Sequence, residues 1–533
     1  MALQIQNIVK KANIDSMKIL TGTICLLLGS LGLPGTGTAA TLIVGARVID
    51  GTGAPAKSIS VRIDGAYVVG VGKLKRLKSD RVLQAAGLVL APGLIDTHSH
   101  HDEGNFKERD MLPLLRQGVT SIVIGMDGHG SGPLADTVKR YAAAPTTVNV
   151  ASYSGHGYIR GLVMGSDYKR PATAAEVGRM DALLTADLTA GSLGLSTGLE
   201  YDPGIYSTQQ EVLQLARTSG RLGGRYISHM RSEDVEFDAA LDELLDIGRQ
   251  TGIPVQISHL KLAMVDRWGQ ASSVLRKLNQ ARAEGIQVSA DIYPYEAWMS
   301  NLSVLMPKRD FNDVAAGTVA LTQLSTPQGM KIAAFPADLS IVGKTIAEIA
   351  AMRGTDAVTT YLHLLRQAEA YGKTHPDQVD SDRVIGTSMA PADIADFIAW
   401  PHTNICSDGE LHGLHPRGVG SFAKIFRVYV REQKRLTMEE AIRKMSSLSA
   451  QHMGLARRGR IVPGAFADLF LFDAAKLTDR STNEHPEAPA EGVHSVWVNG
   501  QLVLEHGKAT HTYAGRFLKR VTRPTSLTPS RYQ

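Results

Sequence analysis

Short apolar runs, each closed by a polar or small residue, recur along most of the chain. Candidate strands of this kind end near Asp96, Gly125, Ser152, Thr197, Ser228, Ser258, Ile292 and Ser407. Helix-like segments separate most of them, over residues 110–117, 174–189, 209–218, 234–250 and 272–284. Alternation of strand and helix predicts parallel strands with crossover helices. Eight such units predict an α/β chain folded as a (β/α)8 TIM barrel. The interval before the last strand is long and predicts an insertion at about residues 297–395. The flanks read differently. From Thr41 to Leu90 the runs are short and broken by Gly and Asp, as in Leu42-Ile43-Val44 and Val68 to Val71. The chain from about Gly459 is similar, through Ala467 to Phe472 and Val496 to Gly500. Both ends are expected to pair into one small β-sandwich domain. Its two parts are residues 41–90 and 459–533, around a barrel of residues 91–458.

The first forty residues have another pattern. Lys10, Lys11 and Lys18 precede an apolar stretch from Ile19 to about Leu33, and small residues follow up to Ala40. Charged, then apolar, then small is the order of a secretory signal. The apolar stretch is short for a membrane span and contains Gly29 and Gly32. The expectation is a cleaved signal over residues 1–40, an exported protein, and no stable membrane insertion after its removal. Composition adds exclusions. The chain has 533 residues, 43% hydrophobic and 20% charged, which excludes a disordered or collagen-like polymer. Lys plus Arg is 57 and Asp plus Glu is 52, a net charge of +5. Neither sign forms long runs, so no nucleic-acid partner is indicated. Two cysteines make no disulfide scaffold. Cys406 reads as a buried core thiol.

Polar residues gather where the candidate strands end. The first strand gives His98 and His100, the second Asp127, the fourth Glu200, the fifth His229, the sixth His259 and the eighth Asp408. In a barrel these strand ends converge on one face, and that face carries the active site. His98 and His100 are two apart, so on extended chain they point to one side, and two imidazoles on one side can share a metal. Taken singly, each residue is better read as ordinary structure: a His-x-His pair is weak, and Asp408-Gly409 suits a turn. Taken together at successive strand ends, they favour a metal. Such nitrogen and oxygen ligands suit Zn2+, with Mn2+ and Co2+ as other candidates. His129, His156, His412 and His415 have less support. His156 lies in Gly155-His156-Gly157, where loop flexibility or substrate contact is as well supported as ligation.

At these residues the sequence resembles the amidohydrolase superfamily, and within it the N-acyl-D-amino-acid deacylase (D-aminoacylase) family. The matching strings are Gly93 to Asp102, Gly194 to Tyr201, Ser228 to Glu233, Gln256 to Lys261, Asp291 to Tyr295 and Cys406 to Gly409, with His415-Pro416-Arg417 downstream. The resemblance runs from about residue 41 to 510 and is weakest over Leu302 to Ile385. It implies a barrel with a β-domain from both chain ends, and zinc, one or two ions per chain. It implies that His98, His100, His229 and His259 belong to the metal site and that Asp408 is the catalytic acid and base. It also implies that Lys261, Tyr293 and Arg417 bind the carboxylate of a small-molecule N-acyl amino acid, with Ser300 a weaker candidate.

One departure stands out. D-aminoacylases carry a cysteine ligand after the second strand, where this chain has Asp127. Related amidohydrolases bridge two metals with a carboxylated lysine after the fourth strand, where this chain has Glu200. Glu200 is therefore expected to be the bridging carboxylate, with Asp127 a lesser candidate. The implied activity is metal-dependent hydrolysis of the amide bond of N-acyl amino acids, with the D hand inferred from the family. The alternative is a dipeptidase or a cyclic-amide hydrolase resembling dihydroorotase and hydantoinase. Acyl-chain length is expected to be set by the segment from Trp298 to Ile385.

Overall fold

The computed structural model describes residues 39–101, 107–375 and 381–521. The expected signal, apart from Ala39 and Ala40, lies outside the described residues, as does Asp102. Among the described residues, no helix is long and apolar enough to cross a membrane.

Eight parallel strands build the centre: β1 (Leu94–Asp96), β2 (Val119–Ile124), β3 (Asn149–Ser152), β4 (Gly194–Gly198), β5 (Arg225–His229), β6 (Val255–Ile257), β7 (Val288–Ile292) and β8 (Thr403–Ile405). The first three pair side by side, and β4 to β8 pair in sequence order. Ser154–Gly155, just beyond β3, pairs with β4 at Leu195 and Ser196. Past the ends of β8 and β1, Asp408 N donates to His98 O at 2.9 Å and His100 N to Gly409 O at 2.9 Å. All six residues of β2 are buried, the pattern of a parallel strand covered on both faces. Buried polar side chains between strands satisfy one another: Gln256 Nε2 donates to Asp291 Oδ2 at 2.7 Å, and Asn404 Nδ2 to Gln256 Oε1 at 3.1 Å.

The crossover helices have local reasons to start where they do. Thr173 and Glu176 form a capping box at the head of the helix Ala174–Ala190, which satisfies two orphan backbone donors. That helix buries Val177, Met180, Leu184 and Leu188 in the apolar core. Thr208 caps Gln209–Arg221 with one bond, its side chain accepting from Glu211 N. Gly252, with φ at 68°, ends Phe237–Thr251, in the left-handed conformation that glycine adopts without penalty.

Strand pairing joins the two ends of the chain. A seven-stranded sheet contains Val89–Pro92 beside Leu469–Phe472, with Leu90 opposite Leu471. A four-stranded sheet is formed by residues of the amino-terminal part alone. Ile43, Val61 and Ile63 of the smaller sheet share one apolar core with Leu90, Leu469, Leu471 and Trp497 of the larger. Each such side chain contributes about 1.5–3 kcal/mol when fully buried.

Between β7 and β8 the chain forms a three-stranded antiparallel sheet of Ala297–Ser300, Met330–Ala334 and Arg383–Thr387. The helices Ile346–Arg353 and Ala357–Thr374 accompany it. Arg309 ties this insertion to the loop after β4, donating to Asp202 Oδ1 at 3.1 Å and to Glu200 O at 2.6 Å.

Candidate metal centre and active site

The carboxyl ends of the parallel strands deliver the polar residues to one place. His98 and His100 follow β1, Asp127 follows β2, Glu200 follows β4, His229 ends β5, His259 follows β6 and Asp408 follows β8. Asp127, His259 and Asp408 have positive φ, at 52°, 34° and 48°. Such a conformation costs a non-glycine residue of order 1–3 kcal/mol. Hydrogen bonds hold two of them: His259 N donates to Asp291 Oδ1 at 2.6 Å, and Asp408 N to His98 O.

His98 is wholly buried, and its Nε2 lies 3.3 Å from both Asp127 Oδ2 and Asp408 Oδ1. His100 Nε2 lies 3.4 Å from Asp127 Oδ2 and 3.2 Å from Asp408 Oδ1. Beside this group, His229 Nδ1 is 3.1 Å from His259 Nε2, which is 3.6 Å from Asp127 Oδ1. Two potential ligand sets result: His98, His100, Asp127 and Asp408, and next to it Asp127, His229 and His259, each with ligand atoms within 4.8 Å of one another. Asp127 belongs to both.

This geometry changes the ranking of the two carboxylates. Glu200 was expected between the two histidine pairs, with Asp127 secondary. Glu200 instead meets His229 from behind, with Oε2 3.0 Å from Nε2, while Nδ1 faces His259. It shares a third cluster with His229 and Glu233, apart from His98, His100 and Asp408. The left-handed turn at Asp127 brings its shorter side chain into the middle instead.

Burial is the largest influence on His98 and would lower its pKa, but Asp127, Asp291 and Asp408 together hold it well above the usual value. The same contest, decided by Asp127 and Asp408, takes His100 up to about 10. Burial would raise Asp127 and Asp408. His98 and His259 hold Asp127 well below the ordinary carboxylate range, and Arg417 with the same two histidines does so for Asp408. Protonated His98 and His100, with Arg417, supply the positive charge that keeps these carboxylates ionised. Both ring nitrogens of His98 and Asp127 Oδ1 are buried without a hydrogen-bond partner, and orphaned polar atoms cost about 1–3 kcal/mol each. A divalent cation would take the place of the imidazolium protons and satisfy these orphaned atoms, so the residues present fit one, and imidazole with carboxylate suits Zn2+, Mn2+ or Co2+.

The groups open into a pocket of about 450 Å³. Its wall includes Lys261, Tyr293 and Arg417, and from the insertion Trp298, Met299 and Arg383. Arg417 donates to Asp408 Oδ2 at 2.6 Å, and its guanidinium lies 5.1 Å from the Tyr293 ring. Arg417 Nε and Tyr293 Oη are both buried without a partner. Lys261 Nζ is hydrogen-bonded to Glu233 and lies 2.7 Å from His259 Nδ1. Ser300 also lines the pocket.

Some residues take other places. His156 opens a helix, wholly buried, with Nε2 2.8 Å from Glu211 Oε1. Arg160 grips the same carboxylate with two bonds of 2.8 Å, so His156 belongs to a buried ionic cluster and not to a mobile loop. His415 accepts from Arg417 N at 3.1 Å and thereby braces the arginine. His412 is exposed between Glu108 and Glu487. Cys406 is fully buried beside Asp291, and burial pushes its thiol up. Sequence reasoning missed the roles of Glu233 and Asp291. Both lie inside the quoted strings, but a single acid in or after an apolar run reads equally well as ordinary structure.

The Amidohydrolase family matches residues 407–504. The N-acyl-D-glutamate deacylase of Alcaligenes xylosoxydans xylosoxydans is 33% identical over 503 residues, spanning 90% of this chain and 96% of the relative. A solved D-aminoacylase, studied for the role of its binuclear metal centre, superposes with a TM-score of 0.79 at 33% identity, over 90% of this chain and 99% of that one. The N-acyl-D-glutamate deacylase from Bordetella bronchiseptica, complexed with zinc and a phosphonate mimic of the tetrahedral intermediate, gives 0.79 at 29% identity over the same shares. By fold and by site this is an amidohydrolase. Within that class, the chain belongs to the N-acyl-D-amino-acid deacylase, or D-aminoacylase, family.

Proposed function

We propose that this protein hydrolyses the amide bond of N-acyl-D-amino acids, releasing a carboxylic acid and a free D-amino acid. The observation that carries the reading is one pocket combining a ligand set centred on Asp127 with two unsatisfied donors, Tyr293 Oη and Arg417 Nε. The first suits a cation and the second a carboxylate, whose oxygens can accept from both donors.

In this reading His98, His100, Asp127, His229, His259 and Asp408 hold one or two divalent ions, zinc foremost, and Asp127 is the shared carboxylate. Glu200 then steadies His229 through its outward nitrogen. A bound divalent ion lowers the pKa of water and polarises a carbonyl. The protein's own groups do the rest. Arg417 fixes Asp408 Oδ2, which leaves Oδ1 facing the histidines. Asp408, kept ionised, takes a proton from the attacking water and returns it to the leaving nitrogen, as general base and then general acid. Tyr293, Arg417 and Lys261 receive the free carboxylate and so orient the amide over Asp408. The insertion closes the outer wall with Trp298 and Met299.

The two parallel sheets are read as one closed (β/α)8 barrel, supported by the Ser154–Gly155 pairing and the Asp408 to His98 bond. The domains at the two chain ends are read as a β-sandwich over residues 41–90 and 459–533, and the barrel as residues 91–458. Residues 1–40 are read as a cleaved export signal, tested by sequencing the amino terminus of the protein recovered from the cell envelope.

The activity is tested with zinc-loaded protein against N-acyl amino acids of both hands, dipeptides and cyclic imides. Turnover of the N-acyl-D series is expected. Turnover confined to cyclic imides or dipeptides would overturn the reading.

A further inference from the structure

Three carboxylates stand behind the histidines instead of between them. Glu200 meets the outward nitrogen of His229. Asp291 lies 3.6 Å from His98 Nδ1. Glu233 Oε1 lies 2.8 Å from His259 Nδ1, off the line of a hydrogen bond, while His259 Nε2 faces Asp127 and His229. Of the three, Glu233 also meets a cationic side chain of the pocket wall. Its Oε2 accepts from Lys261 Nζ, and that ammonium also touches His259 Nδ1. Glu233 is itself held, donating its backbone N–H to Glu200 Oε1 at 2.5 Å. Glu233, Lys261 and His259 are all buried.

We propose that Glu233 is a positioning residue for two sites at once. It aims His259 at the cation and anchors the Lys261 ammonium beside the carboxylate pocket, so both tasks depend on one side chain. The physical grounds are separate for each. A histidine that binds a metal through one nitrogen is oriented by what its other nitrogen meets, and such outer carboxylates govern metal affinity. A lysine is a point charge on a flexible stem, so a buried ammonium stays where a counter-charge holds it. The ordinary alternative is an ion pair that merely neutralises Lys261. That alternative predicts a change in carboxylate recognition and none in metal retention.

The inference rests on the proposed deacylase activity only for the task given to Lys261. The test uses full-length protein loaded with zinc, in three forms: parent, Glu233→Gln and Lys261→Met. Zinc retention is measured by competition with a chromophoric chelator, and KM for an N-acyl-D-amino acid is compared with KM for the N-acyl amine lacking the carboxylate. Glu233→Gln is expected to weaken zinc retention by roughly 10- to 100-fold and to raise the KM ratio. Lys261→Met is expected to raise the KM ratio while keeping zinc as the parent does. The proposal is overturned if Glu233→Gln retains zinc like the parent, or loses zinc with an unchanged KM ratio. Should Glu233→Gln not fold, Glu233→Asp replaces it, with the charge kept and the reach shortened, under the same expected and overturning results. If the parent cleaves neither compound, the deacylase reading fails, while chelator competition still decides whether Glu233 serves the metal.

Discussion

Asp408 is the residue on which the proposed chemistry turns. One of its oxygens is committed to Arg417 and the other faces His98 and His100. Removing its charge while keeping its shape separates proton transfer from architecture. Asp408→Asn is expected to fold normally and to lose roughly 10²-fold or more in kcat, with zinc content measured alongside. Near-parental turnover would remove Asp408 from the mechanism. A second residue, outside the pocket wall, shows what burial does. Lys444 is fully buried, donates to the Trp400 carbonyl, and burial lowers its pKa to about 7. The unfolded chain therefore holds a proton that the folded chain has released, between that value and the ordinary 10.5. Stability rises with pH wherever the unfolded state binds more protons, so this lysine destabilises the fold most at neutral pH and below. Denaturant titrations of Lys444→Met and the parent are expected to converge as pH rises from 7 towards 10. A gap that stays constant would refute the assignment.

Among the elements, the insertion and the loop after β4 work as one piece because Arg309 spans them. Its guanidinium reaches Asp202 and Glu200 O on one side, and Ser303 O and Met306 O on the other. Arg309→Met is expected to cost about 1.5–3 kcal/mol, the usual contribution of a hydrogen bond to a charged group, and to raise KM as Glu200 loses its support. Thermal melts and steady-state kinetics together check both parts. The elements also show what a sequence displays and what it conceals. Buried parallel strands are short apolar runs, so Val119–Ile124 and Val288–Ile292 were legible, and the polar residue after each run pointed to the site. The helix His156–Met164 was hidden because Gly155 and Gly157 flank its first residue and read as loop. The antiparallel sheet of the insertion joins Ala297–Ser300 to Arg383–Thr387, two segments too distant for pattern to connect. The choice between Asp127 and Glu200 was not legible either, because both are single acids after apolar runs. Only the backbone turn at Asp127 decides which one lies between the histidines.

For the whole molecule, the cation site is also a stability term. Asp127 and Asp408 sit buried within reach of the same two histidines. A ligand that binds only the folded state stabilises it by about 4 kcal/mol at a thousandfold excess over Kd. Exhaustive chelation is expected to lower the melting temperature and abolish turnover, and added zinc to restore both. Protein that melts and works unchanged after demetallation would remove the cation from the account. The likeness to solved deacylases over nine-tenths of the chain agrees with the sequence pattern at the level of architecture. That agreement arises because parallel strands and their crossovers leave few alternatives.

The sheet that joins Val89–Pro92 to Leu469–Phe472 has a kinetic side. Ser447 Oγ donates to Gly51 O across 396 residues of chain, and Leu90 meets Leu471 in the same layer. Closing so long a loop adds little equilibrium cost, since the entropy grows only with the logarithm of length. It does impose an order of events. As the polypeptide leaves the ribosome, the amino-terminal strands can pair among themselves, but the outer edge of Val89–Pro92 waits until Leu469–Phe472 has been synthesised. An edge left open in this way is a template for wrong partners until its own partner strand arrives.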